Sequence, residues 1–317
     1  MTYDNIFDRT LSVNIKGISM LLIVTHHVFL HYDSSYDFPT ILRIVLTALG
    51  GLATAVFFFL SGYGLLCSIS HSRPITTQYV SRHLRKIIAP PIYCYILTSV
   101  VYLFTTENIS IMYMFEQLYK GSFYGGLTFW FMDVIIVLYV VVLMLARLGL
   151  TPVQLAYTMS VCALVWIILS AVVWQLPGYW YNSIALFPLG MIVSAKHLEV
   201  KCRPILYTLT FIAFFMLSVF INTSMVPIWL NRYSVCLFIL STIPFVLALM
   251  CISKVLKINS RVLCFVGTNS YLFYIGHCLA GRYAYSIDNC VVSISLLFII
   301  TCFIILSYNK LCQKFQL

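Results

Sequence analysis

The sequence predicts an all-α, polytopic transmembrane helix bundle of about ten spans with both termini in the cytoplasm, and three observations predict it. First, 62% of the 317 residues are hydrophobic and only 9% are charged, whereas a soluble domain is about half apolar and about a quarter charged. So little polar surface cannot cover a soluble sphere. Second, apolar runs of the roughly 20 residues needed to cross a roughly 30 Å hydrocarbon core recur along the whole chain. Lipid offers the backbone no hydrogen bonds, so spanning segments are helices or closed barrels, and these continuously apolar, non-alternating runs select helices. Third, the basic residues between the runs fall mostly on one side.

The spans are bounded where charge, proline or glycine interrupts an apolar run. The first, 14–32, starts at Asn14-Ile15-Lys16 and stops at His31-Tyr32-Asp33. It has no small-residue cleavage signature and is expected to stay on the protein as the first helix. The second, 45–68, ends before Arg73-Pro74, and the third, 87–105, begins just after Arg85-Lys86. The fourth and fifth, 128–147 and 152–174, are separated by Arg147 and Pro152. A weaker run, 180–195, ends at Lys196, and 204–222 opens after Arg203 at Pro204. Arg232 and Lys254 bracket 233–253, Arg261 precedes a second weak run at 262–280, and Lys310 closes 291–309.

With the N-terminus inside, fifteen of the nineteen lysines and arginines fall on the cytoplasmic side, Arg73 among them. Only Arg43, Lys120, Arg232 and Arg282 fall outside, together with the acids Asp33, Asp37, Glu107, Glu116 and Asp288. That bias obeys the positive-inside rule and would vanish if one span midway were added or lost. It also accounts for most of the formal charge of +10, which is spread through short loops and is not a nucleic-acid-binding patch. Eight of the eleven cysteines sit within the apolar runs without metal-site spacing; they are expected to be reduced packing residues, with no metal bound. No repeat or flexible linker interrupts the chain, so one membrane domain is expected over 1–317, with no soluble appended domain.

Ionisable side chains inside spans are the first candidates for function. Lys16 and His27 are eleven residues apart, which at about 100° per residue returns within about 20° of the same helix face and separates them by roughly 16 Å. A cation at the cytoplasmic interface thus lies in line with an imidazole near mid-membrane. His26 points about 80° from Lys16. Imidazole takes and returns a proton near neutrality and suits a general base; equally, a neutral histidine can bond a neighbouring helix, and of two adjacent histidines at least one is expected to be structural. In Phe57-Phe58-Phe59-Leu60-Ser61-Gly62-Tyr63-Gly64, the small residues Ser61, Gly62 and Gly64 make a notch for a ligand or another helix. Arg82, Arg85 and Lys86 cluster within two helical turns and suit phosphate binding or anionic lipid. Asp133, in Thr128-Phe129-Trp130-Phe131-Met132-Asp133, is the only acid inside an apolar run, and His277 is a further intramembrane histidine in the segment from Asn269-Ser270-Tyr271.

In this order the segments resemble the membrane acyltransferase family 3, whose members O-acylate carbohydrates. The family's arginine, ten residues, histidine motif falls on Lys16 and His27, with lysine replacing arginine. Its FFxxSG motif falls on Phe57, Phe58, Ser61 and Gly62, and its RxxR on Arg82 and Arg85. The stretch from Asn269-Ser270-Tyr271 to His277 is similar to its late NSY segment. The resemblance implies transfer of an acyl group, most often acetyl, from cytoplasmic acyl-CoA to a sugar hydroxyl in a bacterial plasma membrane. By that resemblance Lys16, Arg82, Arg85 and Lys86 hold the donor, and Ser61 and Gly62 shape its acyl tunnel. His27, with His26 beside it, is the base or a transient acyl carrier. Asp133, which no family motif covers, is expected from its place in the run to orient a histidine or pair with a cation, and it is grouped with His277 as a substrate-orienting residue. The implied partners are membrane lipid, a polysaccharide or glycolipid acceptor, and a second copy or polysaccharide-assembly proteins. A transporter of a lipid-linked sugar and a non-catalytic membrane subunit stand as alternatives.

Overall fold

A computed structural model of the chain describes residues 8–72, 74–105, 122–123, 127–128, 130–222, 228–287 and 289–315. Arg73, Glu107, Glu116, Lys120, Phe129 and Asp288 lie outside the described residues. Among the described residues the regular structure is helical apart from one two-residue strand pairing. In chain order the elements are α1 Arg9–Tyr32, α2 Thr40–His71, α3 Thr77–Thr105, β1 Ser122–Phe123, β2 Leu127–Thr128 and α4 Trp130–Arg147. There follow α5 Pro152–Ile168, α6 Leu186–Ala195, α7 Pro204–Ile221, α8 Ile228–Val255, α9 Arg261–Thr268, α10 Ser270–Ala284 and α11 Cys290–Phe315. Strands β1 and β2 pair antiparallel, Ser122 opposite Thr128. Among the described residues seven helices are long and apolar enough to cross a membrane, so the protein is multi-pass.

Local chemistry explains several boundaries. The Asp8 carboxylate accepts from the Leu11 N–H at 3.1 Å and caps α1, so the helix starts at Arg9, five residues before the expected span at 14. Thr151 and Gln154 form a reciprocal capping box at the start of α5, with Pro152 in the first turn. The end of α5 widens into a π-turn at Leu169–Val173. Helix α3 continues through Pro90 and Pro91, so the basic cluster and the third expected span share one helix.

Two of the expected spans differ in the structure. The run at 180–195 forms a 3₁₀ turn at Gly178–Trp180 and then only the ten-residue α6, about 15 Å long and half a crossing. Turns over residues 181–185 use up the first part of the run. The run at 262–280 is two helices, because Asn269 leaves helical geometry at φ −102° and ψ 17°. Its side-chain oxygen accepts from Asn309 Nδ2 on α11 at 3.0 Å, so it is committed sideways and not to capping α10. Among the described residues seven of the ten expected spans are helices long and apolar enough to cross a membrane; the other three correspond to α3 with its basic cluster and prolines, the short α6, and the α9 and α10 pair.

The described residues fall into two compact units, one from Met1–Thr76 and Val142–Thr268 and the other from Thr77–Val141 and Asn269–Leu317. In the first, two close crossings set the core. An added Cβ on Gly17 would overlap the Leu263 carbonyl, and one on Gly267 would overlap that of Val13, so α1 and α9 touch backbone to backbone. Gly62 meets the Phe187 carbonyl and Gly190 that of Phe59 in the same way, locking α6 onto α2. Ser183 Oγ donates to the Gly51 carbonyl at 2.8 Å and fastens the turn before α6 to the same helix. Helices α7 and α8 form a hairpin joined by Ser218 Oγ donating to the Ser234 carbonyl at 2.7 Å. The outer face of α7, with Ile205, Leu209 and Met216, is exposed, as lipid-facing apolar side chains are. In the second unit, Tyr93 and Ser307 share a hydroxyl hydrogen bond of 2.6 Å between α3 and α11. All eleven cysteines are free thiols.

Candidate functional site

In the first unit the candidates stand on α1 and α2. Asn14 is fully buried; its Nδ2 donates to the Thr10 carbonyl at 2.9 Å and its Oδ1 accepts from the Ser260 N–H at 3.1 Å. That bond fixes the start of α9 to α1, one turn before Gly17 makes its close approach to Leu263. Lys16, half-buried, sits between these two anchors, so its stem leaves a backbone pinned on both sides. Among the described residues no carboxylate pairs with it.

His26 and His27 are both half-buried, with ring centroids 5.2 Å apart and planes tilted by 47°. They differ in their partners. His26 Nδ1 lies 2.9 Å from the Leu46 carbonyl on α2, and since a carbonyl only accepts, Nδ1 is the donor. The ring lies over Gly50, where an added Cβ would come within 2.7 Å of Nε2. His26 is thus an α1 to α2 tie, and the stripe shared with Lys16 carries His27. Ser61 is half-buried and Gly62 buried. The notch they form receives the backbone of α6 at Phe187, while a Cβ on Gly64 would meet nothing within 4 Å.

In the second unit Arg82, Arg85 and Lys86 are exposed on the first turns of α3, with no ion pair among the described residues. Beside them His83 Nδ1 donates to the Tyr79 carbonyl at 3.0 Å within the same helix. Asp133, half-buried, lies in the first turn of α4, where the helix dipole favours a carboxylate. His277 is buried on α10. Its Nδ1 donates to the Phe273 carbonyl at 2.9 Å, and Nε2 stands 3.4 Å from Cys278 Sγ. Tyr274 meets the His277 ring at 5.8 Å on one side and Phe131 at 5.2 Å on the other.

The structure therefore brings Lys16, His26, His27, Ser61 and Gly62 into one unit, and Arg82, Arg85, Lys86, Asp133 and His277 into the other. Sequence reasoning missed the partners that hold them: Leu46 and Gly50 for His26, Ser260 for Asn14, Phe187 and Gly190 for Gly62. A glycine in each of two separate runs was the available signal, but nothing in spacing says which two meet. A family model described as an acyltransferase domain matches residues 13–308. No curated protein and no solved structure matches the chain.

Proposed function

Since the chain belongs to the acyltransferase 3 family and is a multi-pass membrane protein, we propose that it moves an acetyl group from cytoplasmic acetyl-CoA to a hydroxyl of a cell-surface or exported carbohydrate. The observation that carries this reading is the stripe on α1. Lys16 and His27 share one face of a single unbroken helix, Arg9–Tyr32, so a cation and an imidazole stand in line across half a bilayer. Exposed Arg82, Arg85 and Lys86 suit the phosphates of an anionic donor. The one-sided distribution of basic residues favours a cytoplasmic entry for that donor, in the plasma membrane of a bacterium.

In this mechanism His27 takes the proton of the acceptor hydroxyl as its oxygen attacks the thioester carbonyl. The carbon–sulfur bond breaks, coenzyme A leaves as the thiolate, and the imidazolium returns its proton. If the acetyl group first rests on His27, a burst of acetyl-enzyme precedes product. Incubating inverted membrane vesicles with labelled acetyl-CoA tests the reading. Label is expected in carbohydrate, with a loss of about 10²- to 10⁴-fold in His27→Ala, the range for removing a general base. Full transfer by a folded His27→Ala variant overturns the role of His27, and movement of an unmodified glycolipid without transfer overturns the enzyme.

A further inference from the structure

In the first unit, the segment that joins α5 to α6 is rich in aromatic rings and amides, and no charged side chain occurs anywhere from Leu148 to Ala195. It is irregular but tightly held. The Trp174 N–H donates to the Leu169 carbonyl and the Leu176 N–H to that of Ser170, each at 2.8 Å. Trp166 Nε1 donates to the Trp180 carbonyl at 3.1 Å and folds the far part of the segment back onto α5. The Trp166 ring meets Trp174 edge-on at 5.9 Å, and the rings of Tyr179 and Trp180 lie 6.3 Å apart. The Asn182 N–H donates to the Gly178 carbonyl at 2.9 Å, and its side-chain amide packs on Gly178 so closely that an added Cβ would lie 3.0 Å from Nδ2. These contacts make one connected cluster. Trp174 is 51% exposed and Tyr179 46%, and Gln175 is exposed with a left-handed φ of 49°.

The far end of this segment reaches the level of the histidines. Ser183 Oγ donates to the Gly51 carbonyl at 2.8 Å, and the next residue of α2, Gly50, carries the His26 ring, whose centroid is 5.2 Å from that of His27. Gly51 lies roughly 9 Å inside the expected outer end of its span, and His27 roughly 8 Å inside that of α1. Non-helical backbone at such depth is tolerated where protein buries it or where it lines water. Ser183 and Ile184 are buried, whereas Trp174, Gln175 and Tyr179 open outward. A lipid-facing aromatic belt would account for the two rings. It would not account for an exposed amide beside them, held in a backbone region that costs glutamine energy and glycine none. The Asn182 Oδ1, next to Ser183, is shut off from solvent and has no hydrogen-bond partner, so that amide still lacks a donor.

We propose that the segment between α5 and α6 is the acceptor subsite and that it takes a neutral sugar ring. Trp174 and Tyr179 hold the ring's apolar C–H face, and the amides of Gln175 and Asn182 exchange hydrogen bonds with its hydroxyls, the usual division of labour in a small-molecule site. With no charge to offer, the segment selects neither the anionic donor nor an acidic sugar. The assignment rests on the acyltransferase reading.

The test uses the full-length protein in lipid nanodiscs and end-labelled, water-soluble oligosaccharides released by mild acid from the surface of the source organism. Binding is measured without acetyl-CoA, and transfer with it. Gln175→Gly suits the left-handed backbone, so its thermal midpoint should hold; Trp174→Leu and Tyr179→Leu keep an apolar side chain. In each variant oligosaccharide binding should weaken, and the KM for oligosaccharide rise, by about tenfold, the scale of one lost contact, while the KM for acetyl-CoA matches wild type. Unchanged binding and KM in Gln175→Gly and Trp174→Leu overturn the subsite. A lowered midpoint with both KM values altered alike also overturns it and leaves an interfacial anchor. Binding that added salt abolishes overturns the neutral ligand, because screening acts on charge. Oligosaccharide bound by the wild type through these residues but never acetylated overturns the acyltransferase reading and leaves the sugar site standing; oligosaccharide neither bound nor acetylated overturns both.

Discussion

His26, next to His27 in the chain, donates from Nδ1 to a carbonyl on α2. Replacing His26 with asparagine keeps an N–H donor near the position of Nδ1, so His26→Asn should retain the tie to Leu46 while His26→Ala loses about 1 kcal/mol, read by denaturant unfolding. At Asn14 the expected loss is larger. Asn14→Ala leaves the Ser260 N–H without its acceptor in a buried crossing and should lower stability by about 1–3 kcal/mol. The helical period in the sequence was enough to put Lys16 and His27 on one stripe, because that depends only on local geometry. It could not say that His26 bonds to α2, because the partner Leu46 lies twenty residues away on another helix.

Helix crossings make the sharper contrast between two glycines of the FFxxSG segment. Gly62 faces the Phe187 carbonyl with no room for a methyl group, whereas Gly64 faces open space. Gly62→Ala should therefore separate α2 from α6 and cost about 1–3 kcal/mol, the usual range for overpacking. Gly64→Ala should be neutral or gain up to about 1 kcal/mol from helix propensity. Thermal unfolding of the two variants in the same lipid checks this, and equal effects would mean that the close approach at Gly62 is not what sets the crossing. Most helices were readable from where charge and proline interrupt apolar runs. The two weak runs were not, for physical reasons that hydropathy does not see. At 180–195 apolar side chains are spent on turns packed against α2, and at Asn269 a side-chain bond to α11 outweighs helix continuity.

For the molecule as a whole, the membrane class was the most legible property, since it follows from composition alone. The division into two units was invisible, because each unit is assembled from segments distant in the chain. The orientation inferred from charge gives a direct test at Cys202, which is exposed in the segment between α6 and α7. A variant keeping Cys202 as its sole cysteine should react with a membrane-impermeant maleimide in inverted vesicles and not in intact cells. The opposite result would reverse the side assigned to that segment. The prolines inside α3 bear on this same geometry. Pro90 and Pro91 bring no N–H to the carbonyls of Lys86 and Ile87, the acceptors four residues earlier. The stretch from Thr77 to Ala89, roughly 20 Å of helix, is thus joined to the remainder of α3 through a joint two hydrogen bonds weaker than a regular turn. Arg82, Arg85 and Lys86 all lie on that outer stretch, so the three cations share one arm whose attachment to the rest of α3 lacks two backbone hydrogen bonds.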